Sequence, residues 1–341
     1  MTNKQSTAAI ILAAGKGTRM KSRRAKVLFN LAEKTLVEHV ADTAAAVDAN
    51  PTVVVVGYRK DEVVSRLHGR KGLRFTEQTE QLGTGHAVMV TREALAGFAG
   101  DVFILCGDVP LLQADTLRNM LSVHRAGNAA CTVLTAILDD PARYGRIVRD
   151  TDGNVRRIVE YKDATEEQRA ICEINTGIYC FDAVRLFAAL DRVSNDNQQN
   201  EYYLTDTLEI LGNDGEAVIS VLLDDMAQAA GINSQAQLAA LESEYYSRIK
   251  AHWLDNGVVI EMPDTVLVGA GVSLARDVAI ASHCVLKGDT TVGEDSVIGH
   301  GCLLQDATLE QGCFLAGHNI VKGCTLAAGT RLDYGENRQD G

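Results

Sequence analysis

The chain of 341 residues is 46% hydrophobic, so it is long and apolar enough to bury a sizeable core and to form two domains. Its formal net charge of −12 argues against nucleic acid and anionic membranes as partners, so any phosphate site has to be a local positive region. No apolar run approaches the length of about 20 residues that spans a membrane, and the N-terminus has no targeting pattern, which predicts a cytoplasmic protein.

A short apolar run at residues 8–12 is followed directly by a flexible, positively charged segment. The run is typical of a buried strand, and Gly15 and Gly17 allow the backbone after it to approach a ligand closely. Positive charge lies along the same segment, at Lys16, Arg19 and Lys26. These cations indicate a phosphate-binding loop rather than an ordinary glycine-rich turn. The spacing of the glycines excludes both the dinucleotide fingerprint and the Walker loop.

Residues 1–233 alternate short β-rich runs with helical periodicity, the pattern of an α/β domain with helices on both faces of a sheet. The runs that predict strands are residues 8–12, 52–56, 101–106, 131–137 and 177–181. The apolar spacing predicts helices over residues 36–47, 85–96 and 115–124. Ligands of such sheets bind beyond the carboxyl ends of the strands, where the Gly15 loop and Asp108 are both expected.

The sequence changes character after this domain. Residues 234–257 carry apolar side chains at steps of three and four, which predicts a linker helix that ends at Gly257. Over residues 258–335 aliphatic side chains recur every six positions with two slips of one, and a small or β-branched residue stands two positions before most of them. This period predicts a solenoid of roughly four coils with three rungs each. The polar residues 336–341 predict a frayed tail.

The run L-A-A-G-K-G-T-R-M after the first strand resembles the signature of the sugar-phosphate nucleotidylyltransferases, and is most similar to the bacterial N-acetylglucosamine-1-phosphate uridylyltransferases. Further segments follow in that family's order, namely E-Q-T-E-Q-L-G-T-G-H-A, C-G-D-V-P-L, I-V-E-Y-K-D, I-N-T-G-I and E-Y-Y-L-T-D. One departure is Ala25, where the family usually has proline before the lysine. The resemblance implies a mixed, mostly parallel Rossmann-like sheet. The repeats resemble those of hexapeptide acyltransferases, which implies a short left-handed parallel β-helix.

The resemblance also assigns roles to individual residues. It implies catalytic cations at Arg19 and Lys26, and a Mg²⁺ site held by the oxygen atoms of Asp108 and Asn233. It implies a nucleotide-binding site formed by Leu12, Ala13, Ala14, Gly15, Gln78, Gly83 and Thr84. It also implies a binding site for an amino-sugar phosphate, with carboxylate, amide and hydroxyl groups for a sugar ring, formed by Gly145, Glu160, Asn175, Tyr203 and Thr205.

The implied reaction transfers UMP from UTP to N-acetylglucosamine 1-phosphate and releases pyrophosphate, without a nucleophile from the protein. We expect no acetyltransferase activity, because the repeats are few and Asp333 stands where bifunctional relatives have an arginine of that site. The resemblance also implies a homotrimer, because solenoids of this kind commonly trimerise in the relatives. Two alternatives stay open: a nucleotidyltransferase for another sugar or alditol phosphate, and a non-catalytic protein that senses nucleotide sugars or serves as a scaffold.

Overall fold

The computed structural model describes residues 6–339, in two compact units that divide between Gln237 and Leu238. The strands of the first unit are β1 Thr7–Leu12, β2 Asn30–Leu31, β3 Lys34–Thr35, β4 Thr52–Val56, β5 Leu73–Glu77, β6 Asp101–Cys106, β7 Cys131–Ile137, β8 Arg146–Arg149, β9 Val155–Val159, β10 Glu173–Asp182 and β11 Val218–Leu222. Its helices are α1 Leu36–Ala46, α2 Lys60–Leu67, α3 Thr84–Met89, α4 Ala114–Ala126, α5 Glu166–Arg169, α6 Ala183–Leu190 and α7 Asp206–Asn213.

The first unit is built on a mixed, mostly parallel sheet with the strand order β11-β7-β10-β6-β1-β4-β5. Strands β4, β5 and β6 join β1 in a parallel group, and β7 and β11 are parallel, whereas β10 is antiparallel to both of its neighbours. Leu12 at the end of β1 lies opposite Cys106 at the end of β6. The loop that contains Gly15 and the turn that contains Asp108 therefore leave the sheet at the same edge.

Helices cover both faces of this sheet, which explains why its central strands are apolar at nearly every position. Ala9 and Ile11 of β1 pack into one core with residues of α1, α2 and α4. Ala8 and Ile10 pack into a second core with residues of α3, α6 and α7. Successive residues of a strand point to opposite faces, so a single apolar run serves both cores. The predicted α/β architecture is confirmed.

Two predicted elements differ from the structure by more than two residues at one end. The helix predicted over residues 85–96 is only Thr84–Met89 and continues as turns, because both the hydroxyl and the backbone N–H of Thr91 donate to Val88 O. The strand predicted over residues 177–181 extends over Glu173–Asp182. Its pairing with β7 shifts register between Asn175 and Tyr179. The polar side chains at that irregularity hid the first half of the strand from the sequence pattern.

Helix α8, Gln235–Asp255, occupies the region predicted as a linker helix and leads into the second unit. Among residues 6–339, no helix is both long and apolar enough to cross a membrane. Short strands follow the helix, namely β12 Val259–Ile260, β13 Leu267–Val268, β14 Ser273–Leu274, β15 Ala279–Ile280, β16 Val285–Lys287, β17 Thr291–Val292, β18 Val297–Ile298, β19 Leu303–Gln305, β20 Thr308–Leu309, β21 Phe314–Leu315, β22 Ile320–Lys322, β23 Thr325–Leu326, β24 Arg331–Leu332 and β25 Arg338–Gln339.

These short strands form a parallel β-helix with three faces. Each strand pairs in parallel with the third strand after it, which produces three separate sheets. Val268 lies opposite Leu286 and Leu286 opposite Leu304, whereas Leu304 lies opposite Val321, one residue sooner. The aliphatic positions fill the interior together with small residues such as Cys284. The six-residue period therefore corresponds to one face, and each of the two slips shortens one coil by a residue, since Val321 again lies only 17 residues from its partner Arg338.

The structure differs from the predicted frayed tail at residues 336–339, while residues 340–341 lie outside the described part. Strand β25 pairs in parallel with β22. Before it, Asn337 Oδ1 accepts the backbone N–H of Ile320 at 2.7 Å, and Glu336 O accepts Nδ2 of the buried Asn319 at 2.8 Å. These bonds satisfy polar groups of the preceding coil, which is why polar residues are ordered here.

Candidate functional site

The loop after β1 forms one wall of a cavity of about 320 Å³, called here the glycine-loop cavity. The segment from Gln78 to Ala87 also contributes to its lining, together with Lys26 and Asp108. The structure brings all the predicted nucleotide-binding residues into this lining, namely Leu12, Ala13, Ala14, Gly15, Gln78, Gly83 and Thr84. A Cβ atom added to Gly15 would meet nothing within 4 Å, so the space over this glycine is open to a ligand.

Gln78 is buried, and its NH₂ group is already bound within the protein. Nε2 donates to Gly83 O at 3.0 Å and lies 3.1 Å from Nδ1 of His86. The part of this amide left for a ligand is therefore its carbonyl oxygen. Gln81, which sequence reasoning missed, holds the facing loop in place because its Nε2 donates to Ala14 O at 2.8 Å.

Gly83 also has a structural role besides lining the cavity. Its φ angle is 105°, and a Cβ atom there would lie 2.6 Å from Tyr202 O. The backbone of Tyr202 also donates to Leu82 O at 2.7 Å and accepts the N–H of Gly85 at 2.8 Å. The two glycines therefore allow the chain at Tyr202 to pack against the cavity wall.

Two cations and two oxygen-bearing side chains form what we call the ion cluster, made of Arg19, Lys26, Asp108 and Asn233. The ammonium of Lys26 donates to Asp108 Oδ2, with which it forms an ion pair, and to Asn233 Oδ1 at 3.2 Å. The guanidinium of Arg19 donates to the same Asn233 oxygen at 2.7 Å. Residues that are 214 positions apart in the chain are thus brought into contact.

Two backbone contacts help to position Lys26 and Asn233 in the ion cluster. Gly17 has a left-handed φ of 62°, and its α-carbon packs so closely on Lys26 that an added Cβ would lie 2.5 Å from Lys26 Cβ. Asp108 O accepts the N–H of Ile232 at 3.1 Å, which brings the neighbouring Asn233 to the cluster. Ser234 caps α8, because its Oγ accepts the N–H of Gln237 at 3.2 Å.

Two further cavities continue from the glycine-loop cavity. The central cavity, of about 500 Å³, shares Cys106 and Asp108 with it and is also lined by Asn233. The outer cavity, of about 580 Å³, shares Arg19 and Arg143 with the central one and contains Glu160, Tyr161, Lys162 and Gln199. Lys16 lines none of the three. The ion cluster therefore lies at the centre of a continuous row of cavities.

Of the predicted sugar-binding residues, the structure places Glu160 in the lining of the outer cavity and the other four around it. Thr205 Oγ1 donates to Glu160 Oε1 at 3.4 Å, and burial of this carboxyl raises the pKa of Glu160. A Cβ atom added to Gly145 would lie 3.6 Å from both Glu160 Oε1 and Asn175 Cβ. The hydroxyl of Tyr203 accepts Nε2 of Gln199 at 2.7 Å, so Tyr203 supports a residue of the lining.

The outer cavity is a local positive region in an acidic chain. Arg19, Arg143 and Lys162 line it with one carboxylate, Glu160. Lys162 is steered by Gln199 Oε1, which accepts its ammonium at 2.6 Å. Sequence reasoning missed Arg143 and Gln199. The signal for Lys162 was present, since it lies in the I-V-E-Y-K-D segment.

The oxygen atoms of Asp108 and Asn233 converge on one positive group, the Lys26 ammonium, which shows that they can share a cation. Among the described residues, no group of three or more His, Cys, Asp or Glu side chains could hold a metal ion. A carboxylate and an amide oxygen with no further protein ligand suit Mg²⁺, which keeps several waters and takes its other ligands from substrate phosphates. The residues present therefore fit a magnesium ion bound together with a phosphorylated substrate.

Comparison with known proteins gives concordant results. A family profile for nucleotidyl transferases matches residues 8–263. The chain is 44% identical over 298 residues to the Bifunctional protein GlmU of Limosilactobacillus reuteri, covering 87% of this chain and 65% of that protein. It is 44% identical over 291 residues to the protein of the same name from Enterococcus faecalis, covering 85% of this chain and 63% of that one. The chain thus spans less than two thirds of the length of these curated relatives.

A solved structure shows the same fold. It is a Bacillus anthracis protein named as a glucose-1-phosphate thymidylyltransferase, determined in complex with sucrose. The superposition has a TM-score of 0.57 and covers 70% of this chain and 95% of that one, at 18% sequence identity. At this level of identity the similarity concerns the fold alone.

Proposed function

The chain belongs to the nucleotidyl transferase family of enzymes, and on this basis we propose that it transfers UMP from UTP to N-acetylglucosamine 1-phosphate, releasing pyrophosphate. The observation that carries the proposal is the row of three cavities with the ion cluster at its centre. A reaction between two phosphorylated substrates needs two binding pockets that meet where the charge is neutralised. This arrangement meets that requirement.

The nucleoside of UTP occupies the glycine-loop cavity in this proposal. The carbonyl oxygen of Gln78 accepts from the uracil edge, and the open space over Gly15 lets the phosphates pass along the backbone. The sugar occupies the outer cavity, where the Glu160 carboxylate accepts from ring hydroxyls. Its phosphate then points towards the α-phosphorus of UTP near Asp108.

The chemistry requires alignment and charge neutralisation but no covalent intermediate with the protein. A sugar phosphate dianion attacks the α-phosphorus in line, and pyrophosphate leaves. Arg19 and Lys26 neutralise the charge that develops on the leaving group. Cys106 lines the same cavities, but burial and the nearby Asp108 raise the pKa of its thiol to about 12. It therefore stays protonated and is a poor nucleophile.

The proposed cofactor is Mg²⁺, which the carboxylate of Asp108 and the amide oxygen of Asn233 would hold. When bound, the ion would neutralise phosphate charge at the point where the two substrates meet. The Lys26 ammonium, which contacts both oxygen atoms, is then available to the phosphates. We also propose that the protein forms a homotrimer and that it lacks acetyltransferase activity. The latter is supported by the carboxylate of Asp333, which disfavours an anionic acyl donor.

The test is pyrophosphate release from UTP and Mg²⁺ with N-acetylglucosamine 1-phosphate, beside glucose 1-phosphate and glucosamine 1-phosphate. We expect preferred turnover of the N-acetylated sugar. Asp108→Asn should abolish most of the activity, while Asp115→Asn, which makes the same replacement of a carboxylate oxygen by an NH₂ group at an exposed position of α4, should leave it unchanged. Preference for another sugar phosphate would favour the alternative substrate. No release with any sugar, despite measurable UTP binding, would refute an enzymatic role.

A further inference from the structure

The loop of residues 140–145 is held in one shape by a fully buried arginine, Arg146. Its guanidinium donates to Tyr144 O, to Ala142 O at 3.0 Å and to Pro141 O at 3.4 Å. At the start of the loop, Asp140 Oδ1 accepts the N–H of Ala142 at 3.0 Å. A buried cation that bonds to successive backbone carbonyls fixes the path of the chain, because leaving them without a donor would be costly.

This fixed loop carries an exposed cation, Arg143, into the site. Arg143 lines both the central and the outer cavity, and so does Arg19. Arg19 is bound to Asn233 in this structure. Within residues 6–339, the Arg143 guanidinium has neither a hydrogen bond nor an ion pair. An arginine on a rigid loop, facing two cavities and left without an anion, is placed to receive one from a ligand.

We propose that Arg143 binds the phosphate group of the sugar 1-phosphate, opposite Arg19, and so determines the affinity for this substrate. The inference rests on the proposed function, which puts the sugar in the outer cavity and the reacting phosphorus near Asp108. The 1-phosphate is the group that joins these two places, and the residues shared by the outer and central cavities are Arg19 and Arg143. Two guanidinium forks provide bidentate donors for a dianion.

The position of Arg143 favours the sugar phosphate over the pyrophosphate as its ligand. Pyrophosphate leaves on the side of the glycine-loop cavity, where Gly15 and Lys26 are found. Whereas Arg19 is bound to Asn233 of the ion cluster, Arg143 is absent from the lining of the glycine-loop cavity and lies with Glu160 and Gln199 in the outer one. Its loss should therefore weaken binding of the sugar phosphate and leave the binding of UTP and pyrophosphate intact.

The experiment compares wild type, Arg143→Ala, Arg143→Lys and the control Arg156→Ala, which removes one exposed arginine that lines a separate cavity of the same unit. For Arg143→Ala we expect the KM for the sugar 1-phosphate to rise about 10- to 100-fold, as for the loss of hydrogen bonds to a charged group. The KM for UTP, and that for pyrophosphate in the reverse reaction, should stay within about twofold of wild type. Arg143→Lys should restore part of the affinity for the sugar 1-phosphate. The control Arg156→Ala should show no rise in its KM.

The outcomes separate this inference from the proposed function. If wild type turns over the sugar phosphate but Arg143→Ala has an unchanged KM for it, the inference is wrong and the proposed function stands. A rise in the KM for pyrophosphate or UTP, instead of that for the sugar phosphate, also overturns it. If wild type releases no pyrophosphate with any sugar phosphate, the proposed function fails and the inference fails with it. An unchanged thermal midpoint of Arg143→Ala excludes a folding defect as the cause of a raised KM.

Discussion

Substitution by alanine should lower the stability of the protein at Gly17 but not at Gly15, although both glycines lie in the loop after β1. Gly17 has a φ of 62°, and its α-carbon packs directly on Lys26. Gly15, two residues earlier, has no left-handed φ and no atom within 4 Å of where a Cβ would lie. Alanine at Gly17 is therefore strained in both backbone and contact, whereas alanine at Gly15 is strained in neither.

The expected loss for Gly17→Ala is the sum of two terms. The left-handed backbone costs an L-residue about 1 to 2 kcal/mol. An added Cβ at 2.5 Å from Lys26 Cβ forces the lysine to move, and such overpacking costs about 1 to 3 kcal/mol. The unfolding free energy should thus fall by about 2 to 5 kcal/mol. Because the displaced group is Lys26, the contacts of its ammonium with Asp108 and Asn233 should be lost as well, and kcat should fall.

The assay is urea unfolding followed by circular dichroism, beside steady-state turnover of UTP. For Gly15→Ala we expect wild-type stability and a raised KM for UTP, since the new methyl group enters the glycine-loop cavity. The reasoning would be refuted if Gly17→Ala were as stable and as active as wild type. It would equally be refuted if Gly15→Ala lost as much stability as Gly17→Ala, because the two sites would then not differ in packing.

Three other expected outcomes can be measured on single variants. Arg19→Ala should lower turnover by about two to three orders of magnitude, as for the loss of one donor that stabilises a transition state, and wild-type turnover by that variant would remove the role given to it. Burial, together with nearby carboxylates, raises the pKa of Asp206 to about 6, so its contribution to stability is present at low pH and is lost as the pH rises from the unfolded value near 4 through 6. Asp206→Asn should therefore be more stable than wild type at pH 7, by about 1 kcal/mol after allowance for solvent screening, and the difference should disappear near pH 4 in urea titrations. Leu286→Ala, at a fully buried position of the β-helix, should lower the unfolding free energy by about 2 to 5 kcal/mol. Unfolding can be followed by the fluorescence of Trp253, which packs on the same core. A loss below about 1 kcal/mol would mean that the coil collapses into the cavity left by the leucine side chain.

The sequence predicted the elements whose signal is local and missed those that depend on distant contacts. The predicted bounds of β4, β6 and β7 match the structure, because each strand is an apolar run bounded by polar residues. The six-residue period predicted the three-faced coil, since each face repeats the same inward position. Strand β10 was recognised only in part, because Asn175 and Thr176 interrupt its apolar pattern at the register shift. The order at residues 336–339 depends on bonds to the preceding coil, which no local pattern records.

In the site, too, the sequence indicated which residues take part but not the distant contacts that position them. Motif resemblance nominated residues that the structure gathers around three connected cavities, but it did not show how they are held there. Gly83 lines a cavity and also makes room for the backbone of Tyr202. The sequence did not indicate a binding role for Arg143, because nothing in its local pattern distinguishes it from an ordinary surface arginine. Its placement depends on the bonds that Arg146 makes to the loop carbonyls.

The ion cluster explains why some long-range contacts can be predicted and others cannot. The proximity of the Gly15 loop and Asp108 follows from topology, since β1 and β6 are parallel neighbours and their carboxyl ends lie at one edge. Asn233 follows from no such rule. It reaches the cluster because the next residue back, Ile232, donates its backbone N–H to Asp108 O at 3.1 Å. The side chain of Asp108 and its backbone carbonyl thus organise the two halves of the cluster, so a change that shifts this turn should disturb both Lys26 and Asn233.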